Sequence, residues 1–144
     1  SFPTRRSSDL PHYTYDDLVK DFGERVANIV SHVTEPLDAN KSEDEQKPWL
    51  ERKEAYLRVL REGGAESATV SAADKIHNTE SFILDMKKEG EAFTSRFPSS
   101  LRNKVWFHEQ ALSIIREKLG ETHPLVVRLV SCTEEFKQLV TSSE

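Results

Sequence analysis

The chain contains a single cysteine, Cys132, and no apolar run approaching the roughly 20 residues that a membrane-spanning helix needs. One thiol excludes both a disulfide framework and a cysteine-ligated zinc site. No segment shows the apolar core region of a secretory signal. We therefore expect a protein of the reducing cytoplasm that does not bind a membrane.

Several short catalytic signatures are also missing. The sequence has neither a phosphate-binding loop nor a dinucleotide glycine fingerprint, and neither an HExxH motif nor a serine nucleophile elbow. Its net charge of −5 argues against a nucleic-acid partner, which normally requires a basic patch. The five histidines include no pair at a metal-ligand spacing on one helix. Any chemistry must therefore come from a less common pattern of residues.

Apolar residues recur at spacings of three and four along most of the chain, which predicts an all-α protein. Helices are predicted from Thr14, with a division at Gly23, and then over 48–62, 65–88, 100–119 and from Pro124 onward. Residues 35–47 are predicted to form an acidic loop. The sequence shows neither the period-two pattern of strands nor an internal repeat. The expected fold is an irregular helical bundle.

The predicted helix over 65–88 begins with an unusual stretch. Residues 68–73 read ATVSAA, small and uncharged, and Asp74 follows them directly. Because nothing in that stretch marks a solvated face, we expect this end of the helix to be covered on all sides. A carboxylate in a covered place is costly unless it is paired or binds a metal. Asp74 is therefore a candidate metal ligand.

A line of polar residues runs along the same helix. Asp74 and Asn78 are four residues apart and so share a face, and Ser81 and Asp85 continue the line. The alternative interpretation is a solvated polar face without a function. That alternative is favoured by the apolar stripe on the opposite side, at Ile76, Ile83 and Met86.

The stretch SAADKIHN at 71–78 resembles the second conserved block of HD-domain phosphohydrolases, most closely that of the Rel/Spo guanosine tetraphosphate hydrolases and their small stand-alone relatives. The stretch YTYDDLVKDFGERVANIVSHVTE at 13–35 resembles the segment that follows the histidine–aspartate motif in the same proteins. The ERKEAYL segment at 51–57 and the helix around Trp106 also resemble the small relatives. The order and separation of these segments together carry the resemblance.

The resemblance implies an HD-type bundle that binds one divalent metal, usually manganese, through a histidine, a histidine–aspartate pair and a later aspartate. Asp74 matches the later aspartate, and Asn78 matches the asparagine that contacts the substrate nucleoside. A metal-bound water would attack the 3′-pyrophosphate of guanosine tetra- or pentaphosphate. A mixed histidine and carboxylate site also suits iron or zinc. Arg52 and Lys53 are further candidates, for contact with a substrate phosphate, and a solvated helix face is their alternative.

The resemblance further implies that the other metal ligands and a catalytic glutamate–aspartate pair lie before Tyr13. The chain instead begins SFPTRRSSDL, which resembles a translated sequencing adapter. We therefore expect 1–10 to be non-native and 11–144 to be the C-terminal part of an HD domain whose N-terminal helices are missing. No catalytic residue is expected in this chain, and a single carboxylate holds a metal poorly, so the chain should be inactive although its intact parent is active. The missing helices should leave apolar residues exposed at Val26, Val30 and Val33.

Two other functions fit the same residues. The parent could be an HD phosphohydrolase that acts on another nucleotide, or the chain could be a non-catalytic helical interaction module. An upstream histidine–aspartate pair with a glutamate–aspartate pair shortly after it would favour a hydrolase, and its absence would favour the module. The sequence does not indicate an oligomeric state.

Overall fold

The computed structural model describes residues 15–33, 48–94 and 101–142, and every regular element in these ranges is a helix. In chain order they are α1 (Tyr15–Phe22), α2 (Glu24–Val33), α3 (Trp49–Glu62), α4 (Ala65–Glu89), α5 (Glu91–Thr94), α6 (Leu101–Leu119) and α7 (Pro124–Ser142). The predicted all-α class is confirmed. In the described part, no helix combines the length and apolar character that crossing a membrane requires. The predicted helix start at Thr14, the predicted loop over 35–47 and residues 1–10 lie outside the described ranges.

Glycines mark the helix ends where the sequence predicted them. Gly23 separates α1 from α2 with φ 91°, in the left-handed region that favours glycine, and its N–H donates to the carbonyl of Val19 at 2.8 Å. The short helix α5 was not predicted. It buries Phe93, but four residues are too few for a helical periodicity to be seen in the sequence.

Gly120 ends α6 and provides a test of this backbone geometry. Its φ is 90°, and its N–H donates to the carbonyl of Arg116 at 2.9 Å. No atom lies within 4 Å of the position that a Cβ would occupy, so a side chain would cost backbone strain alone. We expect Gly120→Ala to lower the free energy of unfolding in urea by about 1–2 kcal/mol. Gly120→Asn should lose less, because asparagine tolerates this region, and equal stability of all three proteins would contradict the assignment.

Helix α4 lies at the centre of the bundle, where it packs against α2, α5, α6 and α7. Two ion pairs join it to α7: Glu80 with Arg128 at 2.8 Å, and Lys87 with Glu135 at 2.7 Å. Both pairs advance by seven residues in the same direction, so α4 and α7 run parallel. The predicted apolar stripe of α4 is buried in the core, at Ile76, Ile83 and Met86.

The apolar face of α1 and α2 is largely outside this core. Phe22 is 58% exposed and Val26 is 37% exposed, so the expected exposure is confirmed for Val26. Val30 is half-buried, and the side chain of Val33 lies outside the described set. Among the α2 side chains that the structure describes, Ala27 is fully buried, and its small side chain allows another helix to approach closely. The spacing of large apolar residues did not predict this contact.

Candidate functional site

Asp74 and Asn78 lie one turn apart on α4, and their side chains touch. The amide Nδ2 of Asn78 donates to Oδ2 of Asp74 at 3.3 Å. Both residues are half-buried, at the boundary between the core and solvent. The four-residue spacing therefore brings the candidate metal ligand and the candidate nucleoside contact together, as expected from the sequence.

The expectation that this end of α4 is covered on all sides is wrong. Ala68 and Ala72 are buried, but Ala73 and His77 are exposed, and 38% of the Asp74 side chain is exposed. Alanine occurs on both buried and exposed helix faces, so a run of small residues does not show that a helix is enclosed. A carboxylate that reaches water is stable without a metal, and burial gives no argument for a ligand here.

Lys75 is the part of this site that the sequence pattern did not predict. The residue is only 6% exposed, and its Nζ lies 3.5 Å from Oδ2 of Asp74. The same ammonium lies over the ring of Tyr56, at 4.5 Å from the centroid, and near that of Phe107, at 5.0 Å. Since aromatic faces carry negative charge density, both rings and the carboxylate stabilise the buried cation.

A buried histidine on α6 adjoins this lysine. Thr79 Oγ1 lies 3.1 Å from Nδ1 of His108, within hydrogen-bonding distance. Burial, which is the largest cause, and the charges of Lys75, Lys104 and Lys53 together lower the pKa of His108 from 6.5 to about 3. The imidazole is therefore neutral near pH 7. The residues that act on this histidine thus come from three helices, α3, α4 and α6.

Lys53, a predicted phosphate contact, packs on aromatic rings. Its Nζ lies 4.6 Å from the ring centroid of Phe107 and 5.8 Å from that of Trp49. Lys53 thus shares the Phe107 ring with Lys75, which places the two lysines on neighbouring helices around one aromatic side chain. Arg52, the other predicted phosphate contact, is half-buried on α3.

The residues around Asp74 do not by themselves fit a divalent metal. Across 15–33, 48–94 and 101–142, no three histidine, cysteine, aspartate or glutamate side chains lie close enough to hold an ion together. The groups beside Asp74 are an amide and an ammonium, and an ammonium repels a cation. The ligands that the resemblance implies before Tyr13 lie outside the described residues.

No known family model matches the chain, and no curated protein matches it either.

Proposed function

We propose that this chain is the C-terminal part of a cytoplasmic metal-dependent phosphohydrolase of the HD type. The intact form would remove the 3′-pyrophosphate from guanosine tetra- or pentaphosphate, the nucleotides of the stringent response. The observation that carries the proposal is the contact between Asp74 and Asn78 within the SAADKIHN stretch. It places a carboxylate and an amide side by side at a half-exposed position, as a metal ligand and a nucleoside contact would require.

The roles of Asp74 and Asn78 are those that the resemblance implies, and the roles of Lys53 and Arg52 follow from their charge. Asp74 would hold a divalent metal, manganese by resemblance, together with ligands from further upstream, and the metal would supply an activated water. Asn78 would donate to or accept from the nucleoside. Lys53 and Arg52 would favour the phosphates by their charge. The nucleotide is the proposed partner, and neither nucleic acid nor a membrane is expected. The chain of 144 residues should itself be inactive.

The test begins with the genomic sequence upstream of the codon for Pro11. A histidine–aspartate pair there, with a glutamate–aspartate pair shortly after it, would define an extended protein to assay for pyrophosphate release with Mn²⁺. We expect Asp74→Ala to lower the rate by more than about 100-fold, because loss of a direct ligand should cost at least as much as loss of a residue that only orients one. Asp85→Ala is the matched control, since Asp85 is an exposed carboxylate of the same helix.

The substrate is tested with Asn78→Ala. If Asn78 contacts the nucleoside, this variant should raise KM for guanosine tetraphosphate, and other nucleotides assayed in parallel should be poorer substrates of the parent. Faster hydrolysis of another nucleotide would favour the second type of HD phosphohydrolase. An extended protein that releases no pyrophosphate, or full activity of Asp74→Ala, would contradict the hydrolase.

A second candidate function is a helical interaction module. The observation that favours it is the exposure of Phe22 and Val26 on adjacent helices, because exposed apolar side chains often mark protein–protein contacts. An upstream sequence that lacks the histidine–aspartate pair would favour the interaction module over the hydrolase.

A further inference from the structure

Neighbouring residues on a helix point about 100° apart, and Asp74 and Lys75 illustrate this. The Asp74 side chain is 38% exposed, whereas that of Lys75 is 8% exposed. The long lysine side chain nevertheless brings its ammonium to 3.5 Å from Oδ2 of Asp74. The partly exposed carboxylate of Asp74 is therefore paired with the ammonium group of a largely buried side chain, that of Lys75.

The Lys75 ammonium is held on its other sides by an aromatic pair. Tyr56 and Phe107 meet edge to face, with ring centroids 5.4 Å apart, and the ammonium contacts both. Tyr56 is itself fixed by a hydrogen bond between its hydroxyl and Oγ of Ser71 at 2.8 Å. The lysine side chain is only 8% exposed, so little water is available to replace these partners and leaving them would be costly. Lys75 thus presents a fixed positive charge to Asp74.

Both contacts of Asp74 within the described residues fall on the same oxygen. Asn78 Nδ2 lies 3.3 Å from Oδ2, and Lys75 Nζ lies 3.5 Å from it. A hydrogen bond from Asn78 and an ion pair with Lys75 on one oxygen favour a single rotamer of a half-exposed side chain that would otherwise exchange between several. Neither contact uses Oδ1, which therefore remains for a ligand.

We propose that Lys75 is a positioning residue, which holds the Asp74 carboxylate in one orientation with Oδ1 available to a ligand. The orientation of Asp74 is a property of this chain alone. Its consequence for catalysis rests on the proposed function, because only then is Asp74 a ligand whose placement controls the reaction.

The orientation can be measured in the 144-residue chain by NMR. Three-bond couplings from the backbone nitrogen and carbonyl carbon to Cγ of Asp74 report its χ1 angle. We expect couplings of a single rotamer in the original chain, averaged couplings in Lys75→Met, and restored couplings in Lys75→Arg. Lys87→Met is the control, since it removes another ion-paired lysine of α4. Unchanged Asp74 couplings in Lys75→Met would overturn the proposal.

A second variant covers the case in which Lys75→Met does not fold. Asp74→Asn keeps the size of a half-exposed side chain and removes only its charge. The hydrogens of a buried, ion-paired ammonium exchange slowly with water and give an observable ¹H–¹⁵N signal. We expect several-fold faster exchange of the Lys75 ammonium in Asp74→Asn, whereas an unchanged rate would show that the pair does not hold either group.

An active extended protein would add a kinetic test. Loss of a residue that orients a metal ligand typically costs about 10- to 100-fold, so Lys75→Met should lower kcat by that factor with little change in KM, and Lys75→Arg should recover part of it. If Lys75→Met shows averaged Asp74 couplings but the extended protein has no hydrolase activity, the proposed function is disproved. The positioning role of Lys75 then remains. Full kcat of Lys75→Met in an active enzyme would disprove the role of this orientation in catalysis.

Discussion

Acidification from pH 6.5 to pH 5 should lower the free energy of unfolding by about 1.7 kcal/mol through His108 alone. Each pH unit over which one proton binds only the unfolded chain is worth about 1.4 kcal/mol, and at pH 6.5 about half of the unfolded chains already carry this proton. The pKa of His108 is about 3 in the folded protein, against an ordinary value of 6.5. The unfolded chain therefore takes up the proton first. The stabilisation is complete above pH 6.5 and is lost progressively as the pH falls toward 3.

The surroundings of His108 explain why protonation is so unfavourable. The ring lies between the buried Thr79 on α4 and the aromatic rings of Phe107 and Phe136, with no carboxylate among these contacts. The charges that act on it are those of Lys53, Lys75 and Lys104, from three different helices. Protonation would add a further positive charge to a site that already repels one.

Urea unfolding at several pH values between 7.5 and 5 measures this dependence. His108→Gln should flatten the slope even if it lowers stability at every pH, and His77→Gln, at an exposed histidine of α4, is the matched control. Glu80 does not interfere, because its hydrogen bond with Arg128 lowers a pKa that is ordinarily 4.5, below this range. Equal slopes in His108→Gln and the original chain would show that another group is responsible.

The burial of His108 and Lys75 could be predicted in part from the sequence. His108 occupies a regular place in the buried stripe of α6, which runs at spacings of four and three through Leu101, Val105, His108, Leu112 and Ile115. Lys75 likewise lies three residues after Ala72 and four before Thr79, both of which are fully buried. Helical spacing alone thus indicates that two polar side chains enter the core. The residue types argue against this burial, because lysine is mostly found at the surface and histidine is less often buried than apolar residues.

Other features depend on contacts that no local pattern contains. Glycine and proline positions predicted the ends of the longer helices, since these residues act on their own backbone. The parallel arrangement of α4 and α7, by contrast, is seen only in contacts between residues that are distant in sequence. An example is the pair of Glu80 and Arg128, which are 48 residues apart. The partial exposure of Asp74 and the packing of Lys53 on Phe107 depend in the same way on where α3 and α6 lie. The motif therefore predicted which residues of the site are neighbours on α4, and it could not predict what surrounds them.

Phe136→Ala should be the most damaging single substitution among those considered for the core. Phe136 is fully buried on α7, where its ring stacks with Phe82 at 5.9 Å and meets His108 edge to face at 5.9 Å. Truncation of a buried phenylalanine typically costs about 3–5 kcal/mol, because the protein loses the buried apolar surface of the ring and a cavity remains in its place. That is comparable with the whole stability of many domains, about 5–15 kcal/mol, so the variant should be partly unfolded in mild urea.

The control and the milder variant are on the same helix. Val127→Ala changes an exposed side chain and should alter stability by less than about 0.5 kcal/mol. Phe136→Leu keeps most of the volume and should remain folded, with a loss between those of the other two variants. A loss of less than about 1 kcal/mol in Phe136→Ala, at the low end for core substitutions, would contradict the packing described here.

Phe136 also links the packing of the core to the pH dependence of stability that His108 causes. Burial is the largest cause of the lowered pKa of His108, and the lysine charges are secondary. A smaller side chain at position 136 would admit water to one face of the imidazole, so Phe136→Leu should raise the pKa of His108 and flatten the pH slope of stability. Lys104→Met removes one charge and leaves the ring covered, and it should flatten the slope less. If Lys104→Met has the larger effect, charge repulsion rather than burial keeps His108 neutral.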